Sequence, residues 1–158
     1  MAPFPLPHRA PRFLRLPVPP GVSLSLRKGT RRVSLAETTM KLLTNAQRQQ
    51  LLANGRAQRA AIDAGTDALD FNPVVKFFTP DAQATWLLTE LTPDDPELAF
   101  GLCDLGFGKP ELGYVSLSEL ASVRGKLGLP IERDLSFDAD KPLSVYAEEA
   151  RSAGRIVK

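Results

Sequence analysis

The sequence predicts an α+β domain: a small antiparallel sheet of about five strands, a meander, packed with two to three helices. Three observations carry that class. Capping boxes open two helical stretches, Thr44 with Gln47 and Ser116 with Glu119. Between them, from Pro73 onward, the hydrophobic period changes from helical to strand-like. The links between the strand-like runs are too short for the crossover a parallel pair requires, so neighbours run antiparallel.

Taken in order, the first helix starts after Thr44 and carries Leu51 and Leu52. Asn54-Gly55 can end it by supplying a left-handed residue, although the Ala-rich stretch from Arg56 to Ala64 can also continue helically. Asp63 to Pro73 reads as a connecting loop. The first strand is Pro73 to Thr79, stopped by Pro80-Asp81, and the second is Thr85 to Leu91, stopped by Thr92-Pro93-Asp94-Asp95-Pro96. Leu98 to Leu105 is the third, closed by Gly106-Phe107-Gly108-Lys109-Pro110, and Glu111 to Val115 is the fourth. A helix from Ser116 should end at Gly125 or Gly128. Ile131 to Phe137 is a fifth strand. Asp140 should cap the last helix, which has Pro142 in its first turn and Leu143, Tyr146, Ala147 and Ala150 on one face, and which ends at Gly154. The helices are expected to cover one face of the sheet.

Ahead of this domain, residues 1–39 have another character. They hold seven of the prolines and seven Lys/Arg against the single acid Glu37. From Met40 onward acids exceed bases by four, so the net charge of +2 belongs to the leader. Three readings of the leader compete: an organellar transit-like peptide, a basic disordered arm for nucleic acid or acidic partners, and upstream sequence ahead of a true start at Met40. The third is preferred, because the capping and periodicity signals begin there.

Composition excludes several chemistries. The one histidine, His8, lies in the leader, so the domain from Met40 cannot supply Ser-His-Asp or Cys-His catalysis or a His-ligated metal. The single Cys103 excludes an internal disulfide and reads as a small buried strand residue. No apolar run is long enough to span a bilayer, and a cytoplasmic location is the simplest reading. Gly106-Phe107-Gly108-Lys109-Pro110 is a hairpin turn and no phosphate loop, since Pro110 stands where Ser or Thr would open a helix. No motif asks for a cofactor or a resident metal.

Carboxylates remain. Glu90, Asp104 and Glu111, with Tyr114, are the catalytic candidates, and their convergence on one concave surface would support an enzyme. A meander puts Asp104 and Glu111 close across one turn with Glu90 at the far end. The plainer reading is a set of solvated or cross-strand ion pairs, Lys76 with Glu90 among them, once a tight turn after Thr79 puts both on one face. Trp86 reads as core. Arg48, Arg56 and Arg59 are the candidate nucleic-acid contacts, against the plainer reading of a solvated helix face.

The chain from Met40 also resembles a family of bacterial domains of unknown function, number 2958. The similarity lies in Lys41-Leu42-Leu43-Thr44, Leu51 to Arg56, Pro73 to Lys76, Phe78 to Ala82 and Ala84 to Leu91. It continues through Ala99 to Gly106, Pro110 to Ser116, Leu129 to Asp134 and Pro142-Leu143. The resemblance implies a bacterial cytoplasmic protein, often encoded on plasmids and other mobile elements beside DNA-handling genes, and it implies little chemistry, since the family has no established activity. The leading expectation is therefore a non-enzymatic binding or accessory module with a protein or nucleic-acid partner. The alternative is a carboxylate-dependent enzyme, Mg²⁺-assisted or not, using Glu90, Asp104 and Glu111.

Overall fold

The computed structural model describes residues 42–158, so the leader and its boundary at Met40 lie outside the described residues. Helix α1 spans Asn45–Asp63, strands β1 to β4 span Val75–Phe78, Thr85–Leu91, Leu98–Asp104 and Glu111–Ser116, and helix α2 spans Leu117–Ser122. Strand β5 is Glu132–Arg133 and helix α3 is Leu143–Ala153. The strands form one antiparallel sheet in the order β4-β3-β2-β1-β5, so the first four are the expected meander and the fifth adds to the edge beside β1.

The helices cover both faces of this sheet, not one. On the first face, Leu51 of α1 and Leu117 and Leu120 of α2 pack on Val75, Phe77, Trp86, Leu88, Leu91, Ala99, Cys103 and Val115. On the second, Leu143, Tyr146, Ala147 and Ala150 of α3 pack on Leu87 and Leu102. Strand alternation explains the division: Trp86 and Leu87 are adjacent and both fully buried, so each face of β2 needs a cover. Each large side chain removed from water here stabilises the fold by about 1.5–3 kcal/mol.

The capping box at Thr44 forms in full, with Gln47 N donating to Thr44 Oγ1 and Thr44 N to Gln47 Oε1, both at 3.1 Å. Asn54-Gly55, however, does not end α1. Both residues are buried mid-helix, where Asn54 Nδ2 donates to the Thr89 carbonyl at 2.8 Å. Gly55 meets the Leu91 carbonyl, and a Cβ built there would lie 1.8 Å from that oxygen. The pair is a docking device: the amide grips β2 while the missing side chain lets two backbones touch. A local pattern cannot separate that use of Asn-Gly from a helix stop.

That contact falls on an irregularity in β2. Leu88 pairs with Gly101, but Glu90 pairs with Phe100, so one residue is inserted at Thr89. Such a bulge carries every later side chain to the opposite face. Glu90 therefore shares a face with Leu87, and Leu91 returns to the face of Trp86.

Three further boundaries move. Helix α2 ends at Ser122, with Val123 already extended; Gly125 and Gly128 belong to the following loop, closed by Gly125 N on Leu129 O at 3.0 Å. Asp81 holds that loop, accepting from Leu127 N at 2.6 Å. Strand β5 keeps only two of its seven expected residues, because Asp134 turns the chain by accepting from both Ser136 N and Ser136 Oγ. Asp140 does not cap α3; it receives the Tyr146 hydroxyl at 2.7 Å.

The orphan amides of α3 are met from a distance instead. Leu143 N donates to Phe71 O and Ser144 N to Asp70 Oδ1, at 2.9 and 3.1 Å. Asp70 thus does what an N-cap side chain does, from the loop that precedes β1. Asp70→Ala is expected to cost about 1 kcal/mol, the usual loss for a removed cap. Urea denaturation checks this, and a midpoint equal to that of wild type would contradict it.

Candidate functional site

Glu90, Phe100 and Tyr114 form a row across β2, β3 and β4, each directly opposite the next. Direct cross-strand partners share a face, so the three side chains stand together on the side that α3 covers farther along. The Phe100 and Tyr114 rings lie 5.0 Å apart between centroids, tilted by 58°. Both residues are half-buried, whereas Glu90 is only 8% exposed.

The Glu90 carboxylate has no hydrogen bond and no ion pair among the described residues. Its oxygens are nonetheless not among the sealed, unpartnered atoms, which are Asp81 Oδ1 and Trp86 Nε1. Burial alone pushes its carboxyl up to about 7, since taking a carboxylate out of water favours the neutral acid. Tyr114 is raised by burial and then by the Glu90 charge, and lowered by Arg59, so the phenol senses both groups.

The other candidates are employed elsewhere. Asp104 is buried at the far end of β3, accepting from Gly106 N and Ile156 N, both at 2.9 Å. It closes the hairpin turn and ties down the segment after α3. Glu111 pairs with Cys103 in register and is exposed. Because Cys103 and Asp104 are adjacent in a strand, Glu111 and Asp104 lie on opposite faces. The three carboxylates accordingly do not converge; only Glu90 and Tyr114 of the catalytic set share an environment.

Lys76 does share the face of Glu90, but its ion pair is with Asp134 at 3.1 Å. Of the arginines, Arg48 pairs with Glu97 at 2.9 Å and Arg59 with Asp94 at 2.5 Å, while Arg56 is exposed and unpaired among the described residues. Burial, with Glu111 opposite, pushes the Cys103 thiol up to about 12, which leaves it an inert core group. No group of three or more His, Cys, Asp or Glu among the described residues is arranged to hold a metal ion. No helix among the described residues is long and apolar enough to cross a membrane.

Phe100 escaped the sequence reading. Its signal was its position opposite Tyr114, which needs the β3–β4 register; its proximity to Glu90 further needs the bulge at Thr89.

An open meander with helices on both faces and a row of one carboxylate and two aromatic rings defines a small α+β domain. The chain belongs to the family described as "Protein of unknown function (DUF2958)", whose family model matches residues 42–157. No curated protein and no solved structure matches it.

Proposed function

We propose that this chain is a binding or accessory module without catalysis of its own, engaging a protein partner in the DNA biology of plasmids and other mobile elements. The observation that supports the reading is Glu90, a buried carboxylate with no partner among the described residues. The competing side chains are spent on structure: Asp104 on a turn and a tail, Lys76 on Asp134, Arg48 and Arg59 on acids. Two neutralised arginines and an acid excess from Met40 onward favour a protein over a nucleic acid. The mobile-element setting and a bacterial cytoplasm rest on the family resemblance.

A second reading, the carboxylate-dependent enzyme, keeps one support. A carboxyl held at about 7 beside Tyr114 is poised to exchange a proton near neutral pH. That reading now rests on Glu90 without Asp104 or Glu111.

Affinity purification of the full chain from its own cells, beside Glu90→Gln and Tyr114→Ala, tests the proposal. A protein retained by wild type and lost with both variants is expected; identical retained sets would overturn it. In a mobility-shift titration at two salt concentrations, Arg48→Ala, Arg56→Ala and Arg59→Ala combined are expected to leave any shift of duplex DNA unchanged. Loss of the shift would make these residues nucleic-acid contacts and reverse the choice of partner.

A further inference from the structure

A carboxylate removed from water without a counter-charge destabilises the state that holds it, and normally either takes a proton or takes a partner. Among the described residues Glu90 has no partner. Arg59 is the cation that Tyr114 feels, and it is bound to Asp94 at 2.5 Å. Lys76, on the same face, is bound to Asp134. Among the described residues no charged neighbour shifts Glu90, whose carboxyl is raised by burial. Beside it stand two aromatic rings in a tilted pair, whose faces attract positive charge. The fold uses this attraction elsewhere, with Lys141 Nζ 4.8 Å from the centre of the Tyr146 ring.

We infer that the row Glu90–Phe100–Tyr114 is a receptor for a single organic cation, the ammonium or guanidinium of a lysine or arginine side chain on a protein partner. The inference rests on the binding-module reading and gives it a chemistry. An anion would meet an unpaired carboxylate. A divalent metal ion would need several oxygen ligands, and the row offers one carboxylate and a phenol. An organic cation needs one counter-charge and aromatic surface, which is what the row supplies. Capture should also release a proton near neutral pH, because the arriving charge favours ionised Glu90. The titratable and charged groups acting on the row are Tyr114 from β4 and, through Tyr114, Arg59 from α1.

The test follows the side-chain carboxyl carbon of Glu90 by NMR in full-length protein carrying ¹³C-labelled glutamate, with n-butylammonium, ethylguanidinium and neutral n-butanol as probes. Both cations are expected to shift the Glu90 signal saturably and to weaken its proton affinity by about tenfold, and butanol to do neither. Glu90→Gln should abolish cation binding, and Phe100→Leu should weaken it by about threefold. A short peptide presenting one lysine or arginine should bind more tightly than the free probes; if it binds no better, the ligand is a free amine and the assignment to a protein side chain falls. No response to either cation, or an equal response to butanol, overturns the receptor. So does an Arg59→Ala variant whose Glu90 midpoint rises by itself, since Arg59 would then be the occupant. If the cations fail while a partner protein is still lost with Glu90→Gln, the binding module survives and the cation receptor does not. If they bind but no partner depends on Glu90, the binding-module reading fails instead.

Discussion

Replacing Gly55 with alanine is expected to lower stability by about 3 kcal/mol or more, the upper part of the range for overpacking a core. In an ordinary helix interior the same change would raise stability by about 1 kcal/mol, because alanine is the better helix former. The sign reverses because the added methyl would lie 1.8 Å from the Leu91 carbonyl oxygen. That oxygen belongs to the backbone at the end of the central strand and cannot swing aside as a side chain would. To make room α1 must lift, which would also strain the Asn54 bond to Thr89 and the packing of Leu51. Urea unfolding of full-length protein measures the loss, and Arg56→Ala, one residue away and exposed, should keep the wild-type midpoint or exceed it. A Gly55→Ala protein as stable as wild type would mean that helix and strand do not touch there.

Glu90→Gln should act in the other direction. The folded-state carboxyl titrates at about 7 against an ordinary value of 4.5, so the folded state holds its proton more tightly than the unfolded chain. The stability this contributes is fully present below pH 4.5 and is lost as pH rises through 7. Above that range the ionised group costs up to about 3 kcal/mol. Glutamine keeps the shape and carries no charge, so its advantage should be small at about pH 5 and largest at about pH 8. Denaturation of both proteins across this range checks it, and a difference independent of pH would show that Glu90 is not buried as charge. A stabilising substitution at a residue that also removes partner binding is the pattern of a site kept for function at the expense of stability.

Much of the architecture was legible in the sequence because it depends on local signals. The Thr44-Gln47 box, the Pro-Asp stop after Thr79 and the alternation in β1 to β4 each follow from residues within a few positions. What escaped depends on distant partners. Asp70 serves α3 from more than seventy residues away, Asp134 curtails β5 through an unremarkable Ser136, and Asn54-Gly55 is used against β2. The candidate site divides in the same way. Glu90 stood out as a carboxylate on a central strand and Tyr114 as a polar aromatic on the fourth strand, and the structure brings them together. Asp104 and Glu111 looked equally suitable, but register puts them on opposite faces and one is bound into a turn. Phe100 carried no chemical flag.

The extra residue at Thr89 works as a reading-frame setter for the sheet. Upstream of it the odd-numbered positions of β2 look toward α3; downstream the even-numbered ones do. Deleting Thr89 would make the strand regular and keep Glu90 opposite Phe100, whereas pairing Thr89 itself with Phe100 would turn the Glu90 carboxylate to the face of Trp86 and Leu51 and present Leu91 to the aromatic pair. Related chains should therefore be compared first by the register of this strand and only then by the acid at its end. A chain of the same length without the bulge would carry the same letters and a different surface.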